Sequence, residues 1–191
     1  MKSFLLFLVG CFTTIFLVFL FFAYVRPPFT YHISENEKMI LSVERNAGKQ
    51  ISARNNLQYI GSGGGNTDGK IRMSSLSFSI RKPLTKNEAR RLIVACIQEY
   101  LQIINEDEKL RPALLHYPFT AADVELSVDS KYPDGSRVYD PYIGLVYNAN
   151  CKIYYRSNDP ENEYKYKLKE EETFEEALKI LALEKVTMQN Q

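Results

Sequence analysis

The chain is poor in the residues that most often carry chemistry. Its 191 residues include two histidines and three cysteines. No Cys-x-x-Cys pair and no pair of histidines at ligand spacing occurs, so nothing reads as a zinc site. His32 and His116 are isolated, and a lone histidine is more often a surface or capped residue than a ligand. Charge of one sign is also missing. With 24 basic and 23 acidic residues the formal net charge is +1, too small for a bulk field that recruits nucleic acid or anionic lipid. No nucleic-acid partner, cofactor or metal is expected, no catalytic residue is assigned, and there is no internal repeat.

What the sequence does have is an apolar front end. Residues 4–25, with Phe4 and Val25 at the two ends, contain no charged side chain and lie between Lys2 and Arg26-Pro27-Pro28. At ~1.5 Å per residue the run makes a helix of about 30 Å, enough to cross a hydrocarbon core. A cleavable signal peptide has a shorter apolar region and a small-x-small cleavage site, whereas Phe22-Ala23-Tyr24-Val25 offers one small residue. Leu8-Val9-Gly10-Cys11 resembles a lipobox, but the residues after Cys11 stay apolar where a lipoprotein continues with a polar tether. An uncleaved single-helix membrane anchor fits best, with Tyr24 and Arg26 suited to the interface and the prolines ending the helix. Basic residues after the run favour a cytoplasmic domain, but N-terminal apolar segments usually direct export, and long domains translocate largely regardless of charge. The expectation is therefore an extracytoplasmic, periplasmic-side domain on a membrane tether.

Behind the anchor (1–28) the spacing predicts a spacer and amphipathic helix (29–60), a Gly-rich loop (61–70) and an α+β domain (71–191). Ser34 with Glu37 forms a capping box, and Ile40, Val43, Ala47 and Ile51 follow at helical intervals, with Glu44, Arg45, Lys49 and Arg54 opposite. Such a helix could be a stalk, pack on the domain, or mediate self-association through residues 34–58. Gly64 to Lys70 matches the start of a phosphate-binding loop, but Ile71 replaces the required Ser or Thr and a strand follows instead of a helix. This stretch reads as a linker. From Ile71 an alternating strand follows, with a change of phase at Ser74-Ser75 that suggests a bulge or a late strand start. Thr85 and Glu88 open the best helix, carrying Ala89, Ile93, Cys96, Ile97, Tyr100 and Ile104 on one face. Further strands are predicted around Val124–128, 142–147, 152–155 and 164–168, with a hairpin across Asn148-Ala149-Asn150. A last helix opens at Thr173 with Glu176. The order β-α-β-β-β-β-α predicts a mainly antiparallel sheet with helices on one face.

Candidate chemistry is thin. Asp134, Asp140 and Asp159 fall in turns, where Asp is expected for local hydrogen bonding. Glu170-Glu171-Glu172 precedes the last helix and suits its N-terminal dipole. Cys96 and Cys151 could form one disulfide in an exported domain, although Cys96 on an apolar helical face also reads as a small buried hydrophobe. The tyrosines of the C-terminal sheet region say more. Tyr154 and Tyr155 are adjacent and must point to opposite faces. With Tyr164 and Tyr166 they form a possible interface, since tyrosine joins apolar area to a hydroxyl and is favoured at protein contacts.

Arg111-Pro112, Tyr117-Pro118-Phe119-Thr120, Lys152-Ile153-Tyr154-Tyr155 and Glu172-Thr173-Phe174-Glu175-Glu176-Ala177 together resemble uncharacterised small membrane-anchored or exported proteins of intracellular Gram-negative bacteria, over about residues 80–182. The resemblance implies an envelope location and carries no activity or site residue. Two functions follow as expectations. One is a non-enzymatic, membrane-tethered binding or scaffold domain with a protein partner. The other is a small envelope hydrolase, which needs His116 or acidic residues converging in a concave site.

Overall fold

Strand and helix follow one another because the periodicity of apolar residues switches between two and 3.6 along the chain. A computed structural model describes residues 33–189 and Phe16. The expected anchor with Phe4 and Val25, together with Cys11 and His32, falls outside the described residues apart from Phe16. No helix among the described residues is long and apolar enough to cross a membrane. In chain order the elements are α1 (Glu35–Asn55), β1 (Gln58–Thr67), β2 (Lys70–Ile80), α2 (Lys86–Glu106), a 3-10 turn (Arg111–Ala113), β3 (Val124–Ser130), β4 (Leu145–Ala149), β5 (Lys152–Asn158), β6 (Tyr166–Thr173) and α3 (Phe174–Gln189).

The fold is α+β, and its six strands lie side by side in chain order. Among the described strands β2 and β3 are parallel and every other neighbouring pair is antiparallel. The parallel step is the one that needs a long connection, and α2 supplies it. One face of the sheet is covered by helices: α1 lies against β1 and β2, α2 against β3 and β4, and α3 against β5 and β6. The buried residues of the strands accordingly share one side, as with Leu76 and Phe78, Leu126 and Val128, and Ile153 and Tyr155. The capping boxes at Ser34 and Thr85 are present, and Thr173 caps the last helix in the same way. Ser34 Oγ accepts from Glu37 N at 3.2 Å, Thr85 Oγ1 from Glu88 N at 3.3 Å, and Thr173 Oγ1 from Glu176 N at 3.1 Å.

The Gly-rich stretch differs from expectation. Residues 58–67 form β1, and only Asp68 and Gly69 make the turn into β2. Glycine carries no side chain to display an alternating pattern, so the pairing partner alone reveals the strand. α1 and β1 lie in one compact unit with the rest of the sheet, Ser34–Gln191. The bulges also fall elsewhere than at Ser74-Ser75. Ile60 is the extra residue on β1 and Arg72 the extra residue on β2, which brings Ile71 and Ser74 onto the same buried side.

Two glycines in this region follow from packing. A Cβ on Gly48 would lie 2.4 Å from the Tyr59 ring, so α1 can seat on β1 only without a side chain there. At Gly64 a Cβ would meet the Met73 carbonyl oxygen at 2.8 Å. The β4–β5 hairpin is tighter than expected. Its turn residues are Asn150 and Cys151, both with positive φ (50° and 61°), as a two-residue hairpin with the right twist requires. Asn148 belongs to β4 and is buried. Its side chain accepts from Leu126 N at 2.7 Å and donates to Val124 O at 2.7 Å, bonding the start of β3 beyond the residues paired directly with β4.

Candidate functional site

Three places hold polar chemistry, and they differ in what they can do. The first is internal. Glu44 lies on the same helical stripe as Ile40, Ala47 and Ile51 and is 1 % exposed, not on the outer face where its charge suggested. Its Oε1 accepts from Ser74 Oγ at 2.5 Å, and Ser74 Oγ also shares a short hydrogen bond with the Tyr100 hydroxyl. Oε2 has no hydrogen-bond partner among the described residues. Burial raises the Glu44 pKa against the hydrogen bond from Ser74. Burial also raises that of Tyr100, helped by the nearby Glu44 charge. The cluster joins α1, β2 and α2 and opens to no described cleft. It is built to hold a carboxyl inside the fold.

The second is a clip between the start of α2 and β5–β6. Arg90 grips Glu172 with two bonds, Nε to Oε1 at 2.7 Å and Nη2 to Oε2 at 2.9 Å, and its Nη1 donates to Asn87 Oδ1 at 2.6 Å. The Tyr155 hydroxyl donates to the same carboxylate. Burial works against the Glu172 charge, but the bonds from Arg90 and Tyr155 outweigh it and hold the carboxyl below its usual range. The acidic triplet is therefore strand rather than helix entrance. Glu170 pairs with Lys86, Glu171 with Lys152 and Glu172 with Arg90.

The third is the sheet face that no described helix covers. Its β1–β2–β3 half is nearly flat. Gly61 and Gly63 lie opposite Ser77 and Ser75, and Ser127 Oγ bonds Ser77 Oγ at 3.0 Å. Its β4–β5–β6 half is aromatic and cationic. Tyr147 and Tyr154 stack with ring centroids 4.8 Å apart and planes 15° from parallel. The Arg156 guanidinium sits 5.2 Å from the Tyr154 centroid and 5.7 Å from that of Tyr147. It is held there by donating to the Tyr155 and Glu170 carbonyls at 2.9 and 3.0 Å. Beyond this group the face ends in a polar cleft of about 410 Å³, lined among others by Asp129, Lys131, Arg137, Asn158, Tyr164 and Tyr166. Arg137 clasps the far loop by donating to Glu163 O at 2.7 Å, and Lys131 pairs with Asp129 at 3.0 Å.

The expected tyrosines therefore divide. Tyr154, Tyr164 and Tyr166 fall on the uncovered face or the cleft at its end, with Tyr164 89 % exposed. Tyr155 is 0 % exposed and belongs to the core and the clip, so it offers no surface to a partner. The cysteines are not joined. Cys96 is free and buried in α2, where burial pushes its thiol up to about 12, and Cys151 is free and exposed in the hairpin turn. His116, on which a hydrolase would draw, is exposed and makes no hydrogen bond or ion pair among the described residues. A second cleft of about 440 Å³ lies between α2 and α3, with Val94, Ala95, Leu178 and Leu181 among its walls. No group of three metal-ligating side chains occurs among the described residues.

Sequence reasoning missed Glu44, Arg90, Asn148 and the place of Arg156 in the aromatic group. For Glu44 the signal was present, since its spacing from Ile40 and Ala47 places it inward. For Arg90 no local signal exists. No family model, curated protein or solved structure matches the chain.

Proposed function

We propose that this chain is a membrane-tethered, non-enzymatic binding or scaffold protein whose domain engages a protein partner at the extracytoplasmic surface of the envelope. The uncharged apolar run ahead of Arg26 supports the tether. The observation that carries the binding reading is the Tyr147–Tyr154 stack beneath Arg156 on a sheet face that no described helix covers. Two stacked rings and a guanidinium fixed by backbone carbonyls make a rigid contact patch that loses little side-chain entropy on binding. Tyrosine and arginine are also the side chains over-represented where binding energy concentrates.

The test is recovery of partners from native membranes by the full-length chain and by its Tyr154→Ala and Tyr147→Ala variants. Loss of a contact of this kind costs about 2 kcal/mol, so each variant should retain less than about a tenth of the wild-type partner at limiting concentration. Equal recovery by wild type and both variants removes this face from the function.

A further inference from the structure

We propose that β1 is a pairing edge for a second copy of this chain, joining two six-stranded sheets antiparallel across a two-fold axis. The inference is independent of what the aromatic face binds. A strand at a sheet edge presents a row of unpaired backbone N–H and C=O groups, and proteins that stay single guard such edges with charge, proline, brevity or a bulge, of which β1 has only the bulge at Ile60 among its described residues. The two edges of this sheet are treated very differently. β6 carries Lys167, Lys169, Glu170, Glu171 and Glu172 among its eight residues. β1 runs for ten residues, Gln-Tyr-Ile-Gly-Ser-Gly-Gly-Gly-Asn-Thr, without a charge or a proline, and among the described residues no strand pairs with its outer side. At its bulge Ile60 stands 59 % exposed.

These features select the occupant. A foreign peptide added to an edge is recognised through pockets for its alternate side chains, and neither cleft described above is lined by a β1 residue. Pairing β1 with β6 of another copy would set the neutral strand against the charged one and propagate without closing. Pairing β1 with β1 closes as a dimer with the same surface on both sides. It also sets no like charges opposite one another. The bulge at Ile60 leaves Gly61 to Thr67 as the continuous stretch of β1 open to such pairing.

The experiment measures the mass of the full-length chain in detergent micelles by light scattering, at ~50 µM and on dilution, so that association is read by mass action. Three variants accompany it. Ile60→Lys and Gly61→Lys put a charge on the edge at positions with room for it, since Ile60 is exposed and a Cβ on Gly61 meets nothing within 4 Å. Gly61→Ala adds bulk there without charge. The expected result is a dimer for wild type and Gly61→Ala, with the dissociation constant raised at least ~10-fold, about 1.4 kcal/mol, in both lysine variants. A wild-type chain that stays monomeric at the highest concentration overturns the proposal. So does a dimer that both lysine variants leave intact, because it would be held by another surface.

Discussion

Single residues in this fold sit where their chemistry is at odds with their surroundings, and each conflict can be measured. Cys151 occupies a left-handed backbone conformation, φ 61°, directly after Asn150 at φ 50°. A β-carbon in that region crowds the following carbonyl and costs about 1–2 kcal/mol, whereas glycine adopts it freely. Cys151→Gly would create Asn-Gly, the pair that two-residue hairpins favour most. The exposed thiol makes no disulfide, so no contact with a second cysteine is lost. The substitution should raise stability by about 1 kcal/mol, read as a higher urea midpoint at unchanged slope. A lower midpoint would show that the turn relaxes around the cysteine.

At the scale of elements, the Arg90–Glu172 clip decides how firmly α2 is bound to the far half of the sheet. Both side chains are largely buried, 6 % and 10 % exposed, so removing one leaves the other charge without compensation, and such a loss costs about 3–5 kcal/mol. Glu172→Ala should destabilise by that amount at neutral pH. The sign of its pH dependence follows from the depressed folded pKa of Glu172. Its contribution is present above the unfolded carboxylate value, about 4.3, and is lost as pH falls through the lower folded value. The gap in unfolding free energy between wild type and Glu172→Ala should therefore narrow on acidification; a gap constant down to pH 2 would rule out an ionised pair. The clip also marks what was legible. Helix starts could be read because each capping box spans four residues, and β2 to β6 could be read because their side chains alternate. Arg90 meets Glu172 across 82 residues and Glu44 meets Ser74 across 30, distances at which neither periodicity nor composition carries information. β1 stayed hidden because a strand made largely of glycine has no period to show. Tyr154 was legible as one of two neighbours facing opposite sides, but which of the pair was buried depended on where the helices lay.

For the molecule as a whole, the question is where the independently stable body begins. Ile40, Ala47 and Ile51 of α1 are all 6 % exposed or less and join the same core as Phe78, Ile97 and Tyr100. Burying an isoleucine side chain contributes about 1.5–3 kcal/mol. The two isoleucines alone then supply about 3–6 kcal/mol, a large share of the 5–15 kcal/mol by which domains are typically stable. Removing α1 would also uncover the β1–β2 face it lies on and strip Tyr59 of the helix it packs on. A chain beginning at Ser34 keeps this contact and its capping box, and it should unfold in one cooperative step. A chain beginning at Gln58 keeps all six strands but should melt without a sharp transition or aggregate. Thermal circular dichroism on the two truncations separates the cases. If the shorter one melts as cooperatively as the longer, α1 is an appendage and the body of the protein starts at the sheet.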